Sequence, residues 1–208
     1  MKPVTAAQKF YIAMLRSNLR PIVIATGPAG TGKTMLACQA AAEKLHNNSV
    51  KKIIITRPVV TTDETLGYLP GDIEHKMDPY MRPIYDVFEN SFTKSRVKQF
   101  IANETIEISP LAYMRGRTFK DAYIIGDEMQ NTTIGQMKMF ITRLGYGSNM
   151  VITGDMDQCD LPDKTSSGLL DLTTKLSYST TPHVSHVVFE NMDIQRHPAI
   201  EDILDLYT

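Results

Sequence analysis

The chain has 208 residues, of which 42% are hydrophobic, and its 22 basic and 23 acidic side chains give a formal net charge of -1. This length and this hydrophobic fraction suit one domain with a substantial core, and they exclude a disordered tail or a small disulfide-stapled scaffold. The balanced charge excludes binding of nucleic acid through a global positive field, so any such binding requires a local groove.

Helical and strand-like segments alternate along the chain. A first helix is predicted to begin at Thr5, with Gln8 in the spacing of a capping box, and to end before Pro21. Short, nearly unbroken apolar runs predict strands at 22–26, 52–56, 105–109, 122–126, 150–154 and 186–190. Good helix formers with helical spacing predict helices at 35–45, 79–92, 133–144, 168–176 and 198–206. This alternation is typical of an α/β fold with a mostly parallel sheet flanked by helices.

The chain is predicted to form one domain. It has no internal repeat, low-complexity tract or Gly/Ser-rich linker, so we expect a single domain over 1–208, in which the helix within 1–20 precedes the core. The stretch 61–82 is the least regular, and we expect it to be an insertion above the carboxyl edge of the sheet.

The cysteines and the short apolar runs bear on the compartment. Cys38 and Cys159 are far apart, without a CxxC spacing or a signal peptide ahead of them, and we expect free thiols in a reducing cytoplasm. No apolar stretch of the sequence approaches the roughly 18 residues that a membrane span requires. The sequence therefore predicts a soluble cytoplasmic protein with no membrane partner.

The run GPAGTGKT at 27–34 follows a predicted strand and opens a predicted helix. Its glycines allow successive backbone N–H groups to point at phosphates, beside the positive end of the helix dipole. From an exposed position in the loop, Lys33 is expected to contact the β- and γ-phosphates of ATP, and Thr34 to ligate Mg²⁺. A purely structural glycine-rich turn is the alternative. The predicted nucleotide-binding residues of this run are Gly27, Pro28, Ala29, Gly30, Thr31, Gly32, Lys33, Thr34 and Met35.

Two later strands are predicted to end in polar residues at the same edge of the sheet, where α/β folds place ligands. Asp127 is suited to hold Mg²⁺ through water, and Glu128 to polarise the attacking water. Gln158 carries an amide that can donate to the γ-phosphate or to the lytic water. Simple polar turns are the alternative at both places. Gln8 is predicted either to bind the adenine edge or only to complete the capping box.

With these residues in place, the chain resembles the PhoH family, ATPases of bacteria and phages whose core is similar to the first RecA-like domain of superfamily 1 helicases. The resemblance covers nearly the whole chain. Beyond the ATPase motifs it is carried by family-specific stretches, among them ITRPVV at 55–60, PLAYMRGRTF at 110–119, GDMDQCDLP at 154–162 and FENMDIQRH at 189–197. It implies the same nucleotide roles for the P-loop, Asp127, Glu128 and Gln158, with Gln8 in the place of an adenine-binding glutamine.

The resemblance to helicases also implies nucleic-acid contacts in the loop after the second strand and in the loop before the Asp127 strand. The candidates in this chain are Arg57, Tyr113, Arg115 and Arg117. A tyrosine beside two arginines can stack a base and hold phosphates of single-stranded RNA or DNA. A solvated basic loop with a core tyrosine is the alternative.

A superfamily 1 helicase closes two RecA-like domains on one ATP, and this chain has the length for one. The resemblance implies a homo-oligomeric ring, with a hexamer favoured, in which a neighbouring copy completes the site. An arginine from that copy is expected to act in catalysis by meeting the charge on the γ-phosphate. Arg196 is favoured over Arg143, and neither is expected among the P-loop's own contacts; a surface salt bridge is the alternative.

Together these patterns predict a Mg²⁺-dependent ATPase that acts on RNA or single-stranded DNA as a helicase-like motor. An ATP-gated scaffold with low turnover is one alternative. A small-molecule kinase is another, since many kinases share the P-loop, although the pair Asp127 and Glu128 favours activated water over a transferred phosphate.

Overall fold

The structure is a computed structural model that describes residues 2–58, 73–179, 181–204 and 206. The side chains of residues 73–81, 201, 202 and 204 are outside this description. The insertion predicted over 61–82 therefore lies mostly outside the described residues.

The described strands form one six-stranded parallel sheet with the order β3-β2-β4-β5-β1-β6. Their bounds are β1 Ile22–Thr26, β2 Lys52–Thr56, β3 Ile106–Ile108, β4 Ala122–Gly126, β5 Asn149–Gly154 and β6 Val184–Val188. The predicted bounds of β1, β2 and β4 are confirmed to the residue. The short β3 and the strand β6 are the two edges of the sheet, so the P-loop strand β1 lies between β5 and β6.

The α-helices of the described residues are α1 Ala6–Arg16, α2 Lys33–His46, α3 Ile73–Ser91, α4 Lys94–Ala102, α5 Ile134–Ile141, α6 Gly168–Ser177 and α7 Pro198–Leu204. Helix α4 was not predicted, because Val97 is its one buried side chain and its apolar periodicity is correspondingly weak. The start predicted for α3, Pro79, is wrong: the helix already begins at Ile73. None of the described helices is both long and apolar enough to cross a membrane.

The two faces of the sheet have separate cores, because alternate strand residues point to opposite faces. On one face, Val23 and Ala25 of β1 pack in a cluster with buried residues of α1 to α4. On the other face, Ile24 packs in a cluster with buried residues of α5 and α6. Cover on both faces explains why the strand sequences are almost continuously apolar, and it leaves the carboxyl edge of the sheet as the place for polar chemistry.

Candidate functional site

The loop between β1 and α2 is shaped by glycines that adopt positive φ. Gly27, Gly30 and Gly32 have φ of 134°, 85° and 84°. A Cβ on Gly27 would lie 2.3 Å from the backbone oxygen of Phe189, so no other residue fits there without a shift of the chain. Gly32 is the N-cap of α2. The loop therefore lies against the positive end of the helix, which is a binding place for phosphate.

Lys33 lies inside this loop and is only 8% exposed, so the expected exposed position is wrong. Its Nζ donates to the carbonyl oxygens of Gly27 and Pro28, at 2.6 and 2.8 Å, because the loop curls around the ammonium group. Burial lowers the pKa of Lys33, while the carboxylates of Asp155 and Glu128 act in the opposite direction. The ammonium group also lines the cavity beside the loop, where it can meet an anion.

Thr34 and Asp127 bring two oxygen ligands together. The Thr34 hydroxyl donates to Asp127 Oδ1 at 2.6 Å, and the Thr153 hydroxyl donates to the same oxygen at 2.7 Å. Asp127 is 5% exposed, and its backbone N–H donates to Thr56 O on β2 at 2.9 Å. A hydroxyl beside a fixed carboxylate suits Mg²⁺, which binds through one or two protein oxygens and completes its shell with phosphate oxygens and water. The residues predicted as metal ligands therefore fit that ion.

Glu128 follows Asp127 in a left-handed conformation with φ of 54°. Its Oε2 accepts a hydrogen bond from Gln130 Nε2 at 2.6 Å. Its Oε1 lies 3.5 Å from Nη2 of Arg57. Glu128 lines the same cavity as Lys33, and its predicted role toward an attacking water stays a prediction.

Gln130 was missed by the sequence analysis, and it connects the ends of β4 and β5. The side chain is 1% exposed, its Oε1 accepts from the backbone N–H of Asp155 at 3.1 Å, and its Nε2 also lies 3.3 Å from Gln158 O. Together with its bond to Glu128, these contacts fix the acidic pair relative to the next loop. Its place in the run DEMQ, two residues after Glu128, was the signal in the sequence.

The amide of Gln158 points to Asp155. Its Nε2 donates to Asp155 Oδ2 at 2.8 Å, and the same oxygen accepts the backbone N–H of Ala29 at 3.0 Å. Asp155 thereby joins the P-loop to the end of β5. Gln158 lines the cavity, but its predicted contact with a γ-phosphate stays a prediction.

Gln8 lies against the P-loop instead of completing a capping box. Thr5 caps α1 by accepting from Gln8 N at 3.2 Å, but the Gln8 side chain accepts from Val4 N at 2.8 Å and donates to Thr31 O at 3.1 Å. The predicted returning bond to Thr5 N is therefore wrong, because Gln8 Oε1 accepts from Val4 N instead. Tyr11, one turn further along α1, donates to Lys33 O at 3.3 Å.

One cavity of about 420 Å³ brings most of the predicted nucleotide residues together, but Gly27, Pro28 and Thr31 are not among the described residues that line it. Its wall includes Gln8, Lys33, Thr34, Asp127, Glu128 and Gln158. Gln195 also lines it and was missed as a site residue. Its backbone N–H donates to Gly30 O at 2.9 Å, so the segment after β6 lies over the P-loop.

The structure corrects the expectation that Arg196 lies apart from its own P-loop. A Cβ on Gly30 would be 3.4 Å from Arg196 Nε, because Gln195 anchors this segment to the loop. Arg196 is nevertheless exposed and is not among the described residues that line the cavity. Its expected contact with a neighbouring copy stays a prediction.

Arg143 makes three hydrogen bonds within its own chain. Its Nε donates to Met139 O at 2.9 Å, its Nη1 to Arg117 O at 2.8 Å, and its Nη2 to the Thr142 hydroxyl at 2.9 Å. The guanidinium joins the end of α5 to the loop before β4. These bonds give Arg143 a structural role within its own chain, and its predicted catalytic role stays a prediction.

The loop before β4 holds two of the three arginines that were predicted to contact nucleic acid, and their surroundings differ. Arg117 makes a bidentate ion pair with Glu107 on β3 and lies over the Phe119 ring, 4.6 Å from its centroid. This pairing lowers the pKa of Glu107 to about 2. Arg117 is thus paired within the chain, and its predicted contact with nucleic acid stays a prediction. Tyr113 is 46% exposed, and Arg115 is exposed without a hydrogen-bond partner among the described residues.

Comparison with known proteins identifies relatives of the whole chain. The model of the family described as "PhoH-like protein" matches residues 1–208. The PhoH-like protein of Bacillus subtilis (strain 168) is 47% identical over 203 residues, 98% of this chain and 62% of the relative. The PhoH-like protein of Mycobacterium tuberculosis (strain ATCC 25618 / H37Rv) is 44% identical over 207 residues, 100% of this chain and 58% of the relative. The chain spans less than two thirds of the length of these curated relatives.

Two solved structures share the architecture. The UvsW helicase from bacteriophage T4 has a TM-score of 0.55 at 12% identity, over 91% of this chain and 60% of that one. The large terminase from a thermophilic bacteriophage has a TM-score of 0.57 at 11% identity, over 100% of this chain and 51% of that one. At these identities the likeness concerns the fold alone, and it confirms the predicted RecA-like α/β class.

Proposed function

The chain belongs to the PhoH family, and from this premise we propose that it hydrolyses ATP with Mg²⁺ and couples the turnover to RNA or single-stranded DNA. The observation that carries the ATPase proposal is the hydrogen bond between Thr34 and Asp127, beside the buried Lys33. It joins the P-loop to the acidic pair across the edge of the sheet, as hydrolysis of a nucleoside triphosphate requires.

Each side chain at the site has a separate role in the proposed reaction. Mg²⁺, when bound, would neutralise charge on the phosphate oxygens. Thr34 and Asp127 would hold the ion, and Lys33 would meet the β- and γ-phosphates. Glu128 orients and deprotonates the attacking water, because its carboxylate lines the cavity. Gln8 lines the cavity beside the P-loop, which supports the proposal from the resemblance that it binds the adenine edge.

Release of inorganic phosphate from ATP, with no acceptor added, tests the ATPase proposal. We expect Mg²⁺-dependent release that stops with EDTA and in Lys33→Ala, which lacks the ammonium group for the phosphates. Lys9→Ala, an exposed lysine on α1, is the matched control and should retain the wild-type rate. Phosphate transfer only to an added small molecule would favour the kinase alternative. Tight ATP binding with negligible turnover would favour the ATP-gated scaffold.

Action on nucleic acid is the second part of the proposal. Its support is the exposed pair Tyr113 and Arg115 before β4, since an aromatic ring and a free guanidinium can stack a base and hold a phosphate. ATP turnover against a panel of single-stranded RNA and DNA tests it. Stimulation by at least one of them is expected, and an unchanged rate with all of them would contradict this part alone.

The third part is a homo-oligomeric ring of single ATPase domains spanning 1–208, with a hexamer favoured by the family resemblance. Exposure of Arg196 at the rim of the P-loop supports its action on the ATP of a neighbouring copy. Mixing Arg196→Ala with Lys33→Ala protein tests this, since each is expected to be inactive alone and mixed rings to regain turnover. Co-assembled mixtures without recovery would exclude Arg196 as that residue. A cytoplasmic location stays a prediction.

A further inference from the structure

The ion pair between Arg57 and Glu128 connects two residues that were predicted to have separate tasks. Arg57 was predicted to contact nucleic acid and Glu128 to activate water, yet Arg57 Nη2 lies 3.5 Å from Glu128 Oε1. Gln130 holds the other carboxylate oxygen at 2.6 Å. Both oxygens of Glu128 therefore face a donor from its own chain.

The register of the sheet fixes this contact. Thr56 at the end of β2 pairs with Gly126 at the end of β4, so Arg57 leaves one strand where Asp127 and Glu128 leave the other. The bond from Asp127 N to Thr56 O, 2.9 Å long, continues this pairing beyond the strands. The guanidinium can therefore reach Glu128 because the backbone brings the two strand ends together.

Arg57 approaches Glu128 from outside the nucleotide cavity. Glu128 is among the residues that line the cavity, whereas Arg57 is not among the described ones that do. Within the part of the chain that the structure describes, the Arg57 guanidinium has no other ion-pair partner. Its side chain is 31% exposed, so part of it is accessible to a ligand from solvent.

The ion pair between Arg57 and Glu128 is weak enough for another anion to replace Glu128 as the partner of Arg57. It is a single contact at 3.5 Å between groups that are each about one-third exposed, and such pairs contribute little to stability. A phosphate diester forms charge-assisted hydrogen bonds with a guanidinium, often two at once. A backbone phosphate of nucleic acid can therefore compete with Glu128 for Arg57.

We propose that Arg57 is a positioning residue that restrains Glu128 and releases it when a phosphate of single-stranded nucleic acid binds the guanidinium. While paired, Arg57 competes with the lytic water for the lone pairs of Oε1. After the exchange, Oε1 is free to accept a proton from that water. This inference rests on the proposed ATPase function. It links binding of nucleic acid at the loop after β2, which carries Arg57, to the activity of Glu128.

The test compares Arg57→Ala, Arg57→Lys and the control Arg96→Ala by ATP turnover, with and without single-stranded poly(U) RNA. Arg96 is an exposed arginine on α4 that interacts with Gln99 and Phe100, so its removal should change neither rate. Arg57→Ala is expected to raise kcat without RNA by up to about fivefold, the limit set by an exposed ion pair, with the same KM for ATP. Stimulation by RNA should fall toward a ratio of one.

Arg57→Lys retains a cation and is expected to restore part of both the low rate without RNA and the stimulation. An unchanged or lower kcat of Arg57→Ala without RNA would overturn the restraint, since Arg57 would then only bind phosphate or support Glu128. A wild-type rate that does not respond to RNA would overturn the release step. Absence of ATP hydrolysis by the wild type would instead contradict the proposed function itself.

Discussion

The P-loop region and the basic loop before β4 are both polar, but their side chains are organised differently. At the P-loop, residues far apart in sequence contact one another, as Thr34 does with Asp127 and Ala29 with Asp155. In the loop before β4, Arg117 is paired with Glu107 within the chain, while Arg115 extends into solvent.

This contrast shows which sequence signals report a ligand site. A glycine pattern between a strand and a helix prescribes the backbone conformation, and the strand order then brings Asp127 to it. A cluster of arginines prescribes no backbone conformation, so one of them can form an ion pair with a nearby carboxylate instead of binding a ligand. Substitutions in the P-loop region are therefore expected to change the rate of ATP turnover. Substitutions in the basic loop before β4 are expected to change the stability of the fold or the affinity for nucleic acid.

The largest effects are expected from substitutions of Asp127 and Glu128, and the two substitutions should have different phenotypes. Glu128→Gln should bind Mg·ATP normally but hydrolyse it slower by about 10² or more, because a positioned base is lost. Asp127→Asn should lose Mg²⁺ dependence and ATP binding, because it removes the charged ligand next to Thr34. Single-turnover hydrolysis and binding of a fluorescent ATP analogue measure both. Identical phenotypes would show that the two carboxylates do not divide the work.

Gln130→Ala should have the next largest effect. The substitution removes the hydrogen bonds that hold Glu128 and the backbone of Asp155, so kcat is expected to fall about tenfold while the KM for ATP changes little. Thr142→Ala, at the far end of α5, is the control because its hydroxyl contacts only the helix end and Arg143. A Gln130→Ala enzyme with wild-type kcat would mean that Glu128 is held well enough by other contacts.

The third prediction concerns the stability of the basic loop. The pKa of Glu107 is lowered to about 2 from an ordinary 4.5, first by the hydrogen bond from Arg117, so the folded state favours the ionised form. Its contribution to stability is complete above pH 4.5 and is lost as the pH falls toward 2. Glu107→Gln should thus lower the free energy of unfolding by about 1 kcal/mol at pH 7 and by less at about pH 2.5. Urea unfolding at both pH values measures this, and an equal difference at both would contradict it.

The sequence predicted the backbone framework better than the partners of individual side chains. The strands β1, β2 and β4 follow from apolar runs because both faces of the sheet are covered. Helix α4 was not predicted because Val97 is its one buried side chain. The burial of Lys33 was missed because only the closed loop brings the carbonyl groups of Gly27 and Pro28 to it.

The missed partners share one physical cause. Arg143 and Arg117 are basic residues in irregular segments, and each donates to an acceptor on another segment of the fold, Arg117 O for Arg143 and Glu107 for Arg117. Sequence spacing describes neighbours along one helix or strand, but it does not describe which carbonyl or carboxylate arrives from another element. The position of Arg57 beside Glu128 was hidden for the same reason, since the register of β2 with β4 determines it.

The smallest expected effect compares the two arginines of the basic loop directly. Arg115 is exposed and has no hydrogen-bond partner among the described residues, so Arg115→Ala should weaken binding of single-stranded RNA a few-fold and reduce the slope of log K against log salt by about 1. Arg117→Ala should leave that slope nearly unchanged, because Glu107 already neutralises its charge. It should instead destabilise the fold, as Glu107→Gln does. Fluorescence anisotropy titrations with labelled RNA at several salt concentrations measure the slopes. An equal loss of slope in both variants would mean that Arg117 leaves Glu107 to bind phosphate. The pairing of Arg117 within the chain would then not distinguish it from Arg115 in binding RNA.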